Sequence, residues 1–217
     1  MAGPKPFLRY WSGSIPGRIS DGMADRASVR DKELIDAIEA SVPVSFDGSV
    51  WRVVRADRDP VSGSRPRGRW DDGTFDVLYT SMEKDGALAE MYFHLSRGQP
   101  VIPSKMAFRC YEVRCQLRRT LRLVDAADLA VLDIDPDRFG ALDYSGRTGE
   151  YPRTQEVGEA AHFLGFDGLV VPSARFRCAN AVVFTDRMPP GSISVVSDLG
   201  VVDWKAWRDD QADERSG

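Results

Sequence analysis

Apolar residues at Val29, Leu34, Ile35 and Ile38 recur among charges with the spacing of an amphipathic helix over 29–41, ended by Pro43. The period then shortens. Residues 50–55 (VWRVVR) are β-branched and aromatic and follow the turn pair Asp47-Gly48, which predicts a strand; 75–80 (FDVLYT) alternates as a second one. Between them, 57–74 hold two Pro and three Gly and read as a long loop. Ser81 is placed to cap a helix over 82–96 that Gly98 closes, with Leu88, Met91, Tyr92 and Leu95 on its core face. Residues 107–124 read as one or two strands, 126–132 as a short helix and 133–152 as irregular. A helix over 154–164 ends at Gly165, and 169–171, 180–185 and 192–196 are further strands. The charged chain after Trp207 is expected to fray. Strands and helices alternate without a βαβ rhythm, so the expected class is α+β with small mixed β-sheets flanked by helices.

Composition narrows the function. The chain of 217 residues is 42% hydrophobic and 29% charged, enough for a sizeable core. Three cysteines match no zinc pattern and suit a reducing compartment; with no spanning apolar run and no secretory leader, the expected location is the cytoplasm, away from any membrane. A net charge of −4 argues against direct nucleic-acid binding. Yet 52–69 carry six Arg against two Asp, a local patch suited to a small polyanion.

Standard phosphate-binding, zinc-protease and serine-hydrolase motifs are missing, and His94 and His162 read as surface or structural residues. Glu90 lies opposite the apolar stripe of its helix, where Gly86 and Ala87 one turn earlier leave its carboxylate uncovered. A solvated glutamate pairing with His94 is the plainer alternative. Taken singly, Tyr79 reads more simply as a core tyrosine and Arg69 as a solvated loop cation. Their conjunction is more telling, because loop, strand and helix would bring Arg69, Tyr79 and Glu90 to one edge.

The run Gly68-Arg69-Trp70, Asp72-Gly73, 77–81 (VLYTS) and 87–90 (ALAE) resembles the RES domain. So do 165–175 (GFDGLVVPSAR) and 180–184 (NAVVF), and Trp51-Arg52 resembles the strand that opens that domain. The chain departs from the family pattern in having Arg67-Gly68 where two Gly are usual, and Asp71 where Asn follows the Trp. The resemblance implies an ADP-ribosyltransferase-like fold, with residues 1–45 as an extension carrying one helix, 46–200 as the catalytic domain and 201–217 as a charged tail.

It also implies a toxin of a toxin–antitoxin pair that consumes NAD+ as substrate without a metal. Its partner would be a cognate antitoxin of the Xre, helix-turn-helix type, with which it could oligomerise. On that reading Glu90 stabilises the oxocarbenium-like state, Arg69 with Arg52 clamps the pyrophosphate, Tyr79 stacks on nicotinamide and Ser173 donates to ribose or phosphate. Water or phosphate as acceptor gives an NAD+-degrading enzyme, the expected activity. A protein acceptor gives a mono-ADP-ribosyltransferase, and a non-catalytic nucleotide-binding module is the third alternative.

Overall fold

Asp31 opens the first helix, α1 (Lys32–Glu39), by accepting from the N–H groups of Glu33 (3.0 Å) and Leu34 (3.4 Å). The computed structural model describes residues 31–96, 106–135 and 147–214; Val29, Gly98 and part of the expected irregular stretch lie outside them. Leu34 and Ile38 of α1 are buried in one cluster with Val157, Ala160 and Ala161 of α4 (Arg147–Phe163).

Among the described residues there are six strands: β1 (Val44–Arg55), β2 (Val77–Ser81), β3 (Phe108–Arg122), β4 (Gly168–Pro172), β5 (Ala179–Phe184) and β6 (Ile193–Val201). Their order is β1-β2-β5-β4-β3-β6, and β1 also pairs antiparallel with β3, so the set closes on itself. One wall is β1-β3-β6 and the other β2-β5-β4, with β3–β4 the parallel pair. Alternation sorts the side chains. Leu78, Ala181 and Val183 of one wall cluster with Val50, Val54, Val113 and Cys115 of the other. On the opposite face of the second wall, Val77, Val171, Val182 and Phe184 meet α1, α4 and α3 (Ala126–Val131). Against the first wall, Val53, Phe108 and Cys110 meet α2 (Lys84–Ser96) and α5 (Trp204–Glu214).

The mixed α+β class stands, with several corrections. Asp47-Gly48 is no turn: both lie inside β1, opposite Gln116 and Cys115. Ser81 ends β2 and accepts from the Glu83 N–H at 3.4 Å, while α2 starts only at Lys84. β3 is one strand of 15 residues. α4 begins at Arg147, with Pro152 inside it, and ends before Gly165 (φ 77°). Beyond Trp207 the described chain continues α5 to Glu214, and the Trp204 and Trp207 rings lie tilted against Tyr92 with centroids 6.1 and 5.4 Å away. No helix among the described residues is long and apolar enough to cross a membrane.

Candidate active site

Arg69 is carried by a loop that is tied down on both sides. Trp70 is buried at 2% exposure, and α4 approaches its carbonyl so closely at Gly158 that a Cβ there would clash with it. Gln155 of α4 donates to the Gly68 carbonyl at 2.7 Å. Asp71, fully buried, accepts from the N–H of Arg67 (2.9 Å), the N–H of Gly68 (2.7 Å) and the hydroxyl of Tyr79 (2.8 Å). That hydroxyl in turn accepts from the Trp70 N–H at 2.9 Å. Gly68 rests on Tyr79 where no side chain would fit. The two departures from the family pattern meet here: Arg67 adopts a left-handed backbone (φ 54°), and the Asp71 carboxylate holds its N–H. The Arg69 guanidinium lies 5.1 Å from the centroid of the Tyr151 ring, and burial holds its pKa below the ordinary value.

Glu90 faces the same cavity from α2, half-buried. Its Oε1 accepts from Ser173 Oγ at 2.7 Å and from Asn180 Nδ2 at 3.2 Å, so the carboxylate is fixed from β4 and β5, not left as a solvated glutamate. Ser173 Oγ accepts in turn from the N–H groups of Arg175 and Phe176, both at 3.2 Å. The space expected over Gly86 is not available to a ligand: a Cβ there would strike Ser81 Oγ and Cys178 Sγ, which pack against it. Ala87 does line the cavity, which measures about 480 Å³.

Arg69, Tyr79 and Glu90 thus meet in one cavity as their sequence order suggests, and Ser173 reaches them through Glu90. Arg52 also lines it, but its Nη1 donates to the carbonyls of Pro60 (2.7 Å) and Ser62 (3.0 Å), tying the loop to β1; burial brings its pKa down to about 10. His94 stands exposed at the edge of the cavity. His162 is away from it, stacked on Phe75 at 4.4 Å and 2.9 Å from Asp186.

Four further residues at or beside the cavity have no role assigned from the sequence: Asp71, Tyr151, Arg175 and Asn180. Asn180 faces Ser81 across the β2–β5 ladder, so only that register reveals its place beside Glu90. Its Oδ1 is buried with no hydrogen-bond partner among the described residues, an acceptor that a ligand hydroxyl would satisfy. A pinned carboxylate that shares a cavity with half-buried arginines suits a ligand that carries phosphate at one end and develops positive charge at the other.

Comparison with known proteins bears on the family and the fold. The profile of the RES domain matches residues 49–209. The NAD(+) phosphorylases MbcT of Mycobacterium tuberculosis and Mycobacterium bovis are each 26% identical over 180 residues, covering 76% of this chain and 88% of theirs. A chain in the crystal structure of the M. tuberculosis MbcT–MbcA toxin–antitoxin complex shares the fold, with a TM-score of 0.68 at 21% identity, covering 84% of this chain and 98% of that one.

Proposed function

The chain belongs to the RES domain family, and from that premise we propose that it is the toxin of a toxin–antitoxin pair, an enzyme that cleaves the nicotinamide–ribose bond of NAD+ and depletes it. The observation that carries this reading is the Glu90 carboxylate, pinned at 2.7 Å by Ser173 in a cavity that Arg69 enters. A cavity of about 480 Å³ lies within the span of roughly 300–1,000 Å³ usual for small-molecule sites.

When the bond breaks, its electron pair goes to the pyridine nitrogen, nicotinamide leaves neutral, and positive charge develops on the ribosyl ring. A carboxylate already oriented stabilises that charge without reorganising. Hydrogen bonds from Ser173 and Asn180 to Oε1 leave Oε2 for the ribose. Ser173 therefore acts through Glu90, beyond the direct contact with ribose or phosphate that the resemblance implies. Arg69 grips the diphosphate, and Arg52 serves it by holding the loop. The Tyr79 ring borders the nicotinamide end while its hydroxyl holds the Arg69 loop. A module that only binds phosphate would gain nothing from Glu90, which repels its ligand. The name of the MbcT relatives favours phosphate as the acceptor.

An enzyme of this kind needs a cognate antitoxin, and a carboxylate-bearing segment entering beside Arg52 and Arg69 would exclude NAD+. Expression of the chain alone in a bacterial host is expected to arrest growth with a fall in cellular NAD+, and co-expression with its antitoxin to restore both. Harmless expression of folded protein at unchanged NAD+ would refute the toxin reading. Arrest at unchanged NAD+, with a labelled host protein after feeding labelled NAD+ to lysate, would redirect it to protein ADP-ribosylation.

A further inference from the structure

Asp71 has no part in the scheme above, although it is the one buried carboxylate among the described residues. A carboxylate taken out of water is costly to hold unless donors replace its hydration. Asp71 has three. Its Oδ1 accepts from the Arg67 N–H at 2.9 Å, and its Oδ2 from the Gly68 N–H at 2.7 Å and the Tyr79 hydroxyl at 2.8 Å. Because that hydroxyl gives its proton to Asp71, its oxygen is left to accept from the Trp70 N–H at 2.9 Å. Both chain neighbours of Arg69 are therefore fixed by this one side chain, Gly68 directly and Trp70 through Tyr79. The Arg67 side chain folds back across Gly73 (φ 87°), and its Nε donates to the Asp72 carbonyl at 3.2 Å, so residues 67–73 close around Asp71.

An amide of the same size could not do this. Asparagine offers one oxygen and one NH2 group, whereas all three partners of Asp71 are donors. With its oxygen toward Gly68 and Tyr79, its NH2 would face the Arg67 N–H, donor against donor. Turned over, it would oppose both Gly68 and the Tyr79 hydroxyl. The first arrangement loses less, and what it loses is the hold on Arg67, whose left-handed backbone (φ 54°) is unfavourable for a residue that carries a Cβ. We propose that Asp71 is the positioning residue of Arg69: its carboxylate, and not its bulk alone, keeps the loop in the shape that brings the guanidinium to the diphosphate of NAD+. Asp71 touches no substrate in this scheme and acts only through the loop.

The effect on Arg69 rests on the NAD+-cleaving reading, while the hold on the loop does not, so two readouts on the purified full chain keep them apart. The first is limited trypsin digestion with the cut sites read by mass spectrometry. Asp71→Asn should raise cleavage after Arg67 and Arg69 at least about tenfold and leave cleavage after Arg58 as in the wild type. In the Arg67→Gly background, where the left-handed position is free, the same substitution should change cleavage after Arg69 by less than about twofold. Tyr79→Phe, which frees Trp70 alone, should raise cleavage after Arg69 but not after Arg67, and provides the reading if Asp71→Asn does not fold. Unchanged cleavage, or a rise at every site alike, overturns the hold. The second readout is nicotinamide release. Asp71→Asn should raise the KM for NAD+ at least about tenfold with kcat little changed, and should add less than about twofold to the KM of Arg69→Lys, because the group it positions is already impaired. Fully additive effects, or a loss of kcat at unchanged KM, overturn the positioning role. The expected digestion pattern with no nicotinamide from the wild type would instead overturn the NAD+-cleaving reading and, with it, the substrate assigned to Arg69.

Discussion

Removing a single oxygen from Tyr79 would take one of three donors from Asp71 and the hydroxyl acceptor from the Trp70 N–H. Tyr79→Phe is therefore expected to cost about 1–3 kcal/mol, with a Tm drop of roughly 2–4 °C for each kcal/mol, and to raise the KM for NAD+ as Arg69 loosens. The phenol also carries a pH signature. Burial, and then the neighbouring Asp71, hold its pKa well above the ordinary 10.0. A folded pKa above the unfolded one gives stability that is complete below about pH 10 and is lost as pH rises toward the folded value. Denaturant titrations at pH 8 and above pH 10 should show this loss in the wild type and a smaller one in Tyr79→Phe; equal losses would contradict it. At this scale, Arg69 and Glu90 stand out in the sequence because they belong to a recognisable run of residues. Asp71 looks like a departure from that run until its carboxylate is seen holding the left-handed Arg67. Asn180 and Glu90 are 90 positions apart, and no local pattern links them.

The elements that sequence reading cut short were all hidden by residues that mimic an ending. Pro152 looks like a helix breaker, yet it removes only one N–H from a helix that Val157, Ala160 and Ala161 bury against the core. Ser197-Asp198-Leu199-Gly200 looks like a turn. In β6, Asp198 instead pairs with Arg109 of β3 at 2.6 Å, and Gly200 absorbs a positive φ of 91°. The charged composition of α5 hides Trp204 and Trp207, one turn apart, which pack on the outer face of β1 and β3 beside α2. The Trp207 indole N–H donates to Asp85 at 3.0 Å, so α5 braces the start of the helix that carries Glu90. Trp207→Ala should destabilise the protein by about 2 kcal/mol, less than the 3–5 typical of a fully buried ring because Trp207 is only half-buried, and should lower activity. Thermal melting and nicotinamide assays on the same preparation test this. Unchanged melting would show that α5 does not brace α2.

Across the whole molecule, the two walls of strands place chemistry and support on different surfaces. The apolar residues between the walls fix their mutual register. That register brings β2, β4 and β5 against α2 and the loop before β2, so that groups from distant parts of the chain converge on Glu90. The fold class was legible from alternation and element order; closure of the sheet was not, since it depends on β1 and β3 pairing across some sixty residues. The most direct measurement is nicotinamide release from NAD+ by the wild type and by Glu90→Gln, with NAD+ binding followed separately. The amide oxygen can still accept from Ser173 and Asn180, so folding and binding should persist while kcat falls at least about a hundredfold. A Glu90→Gln protein that releases nicotinamide at the wild-type rate would contradict the catalytic role of Glu90.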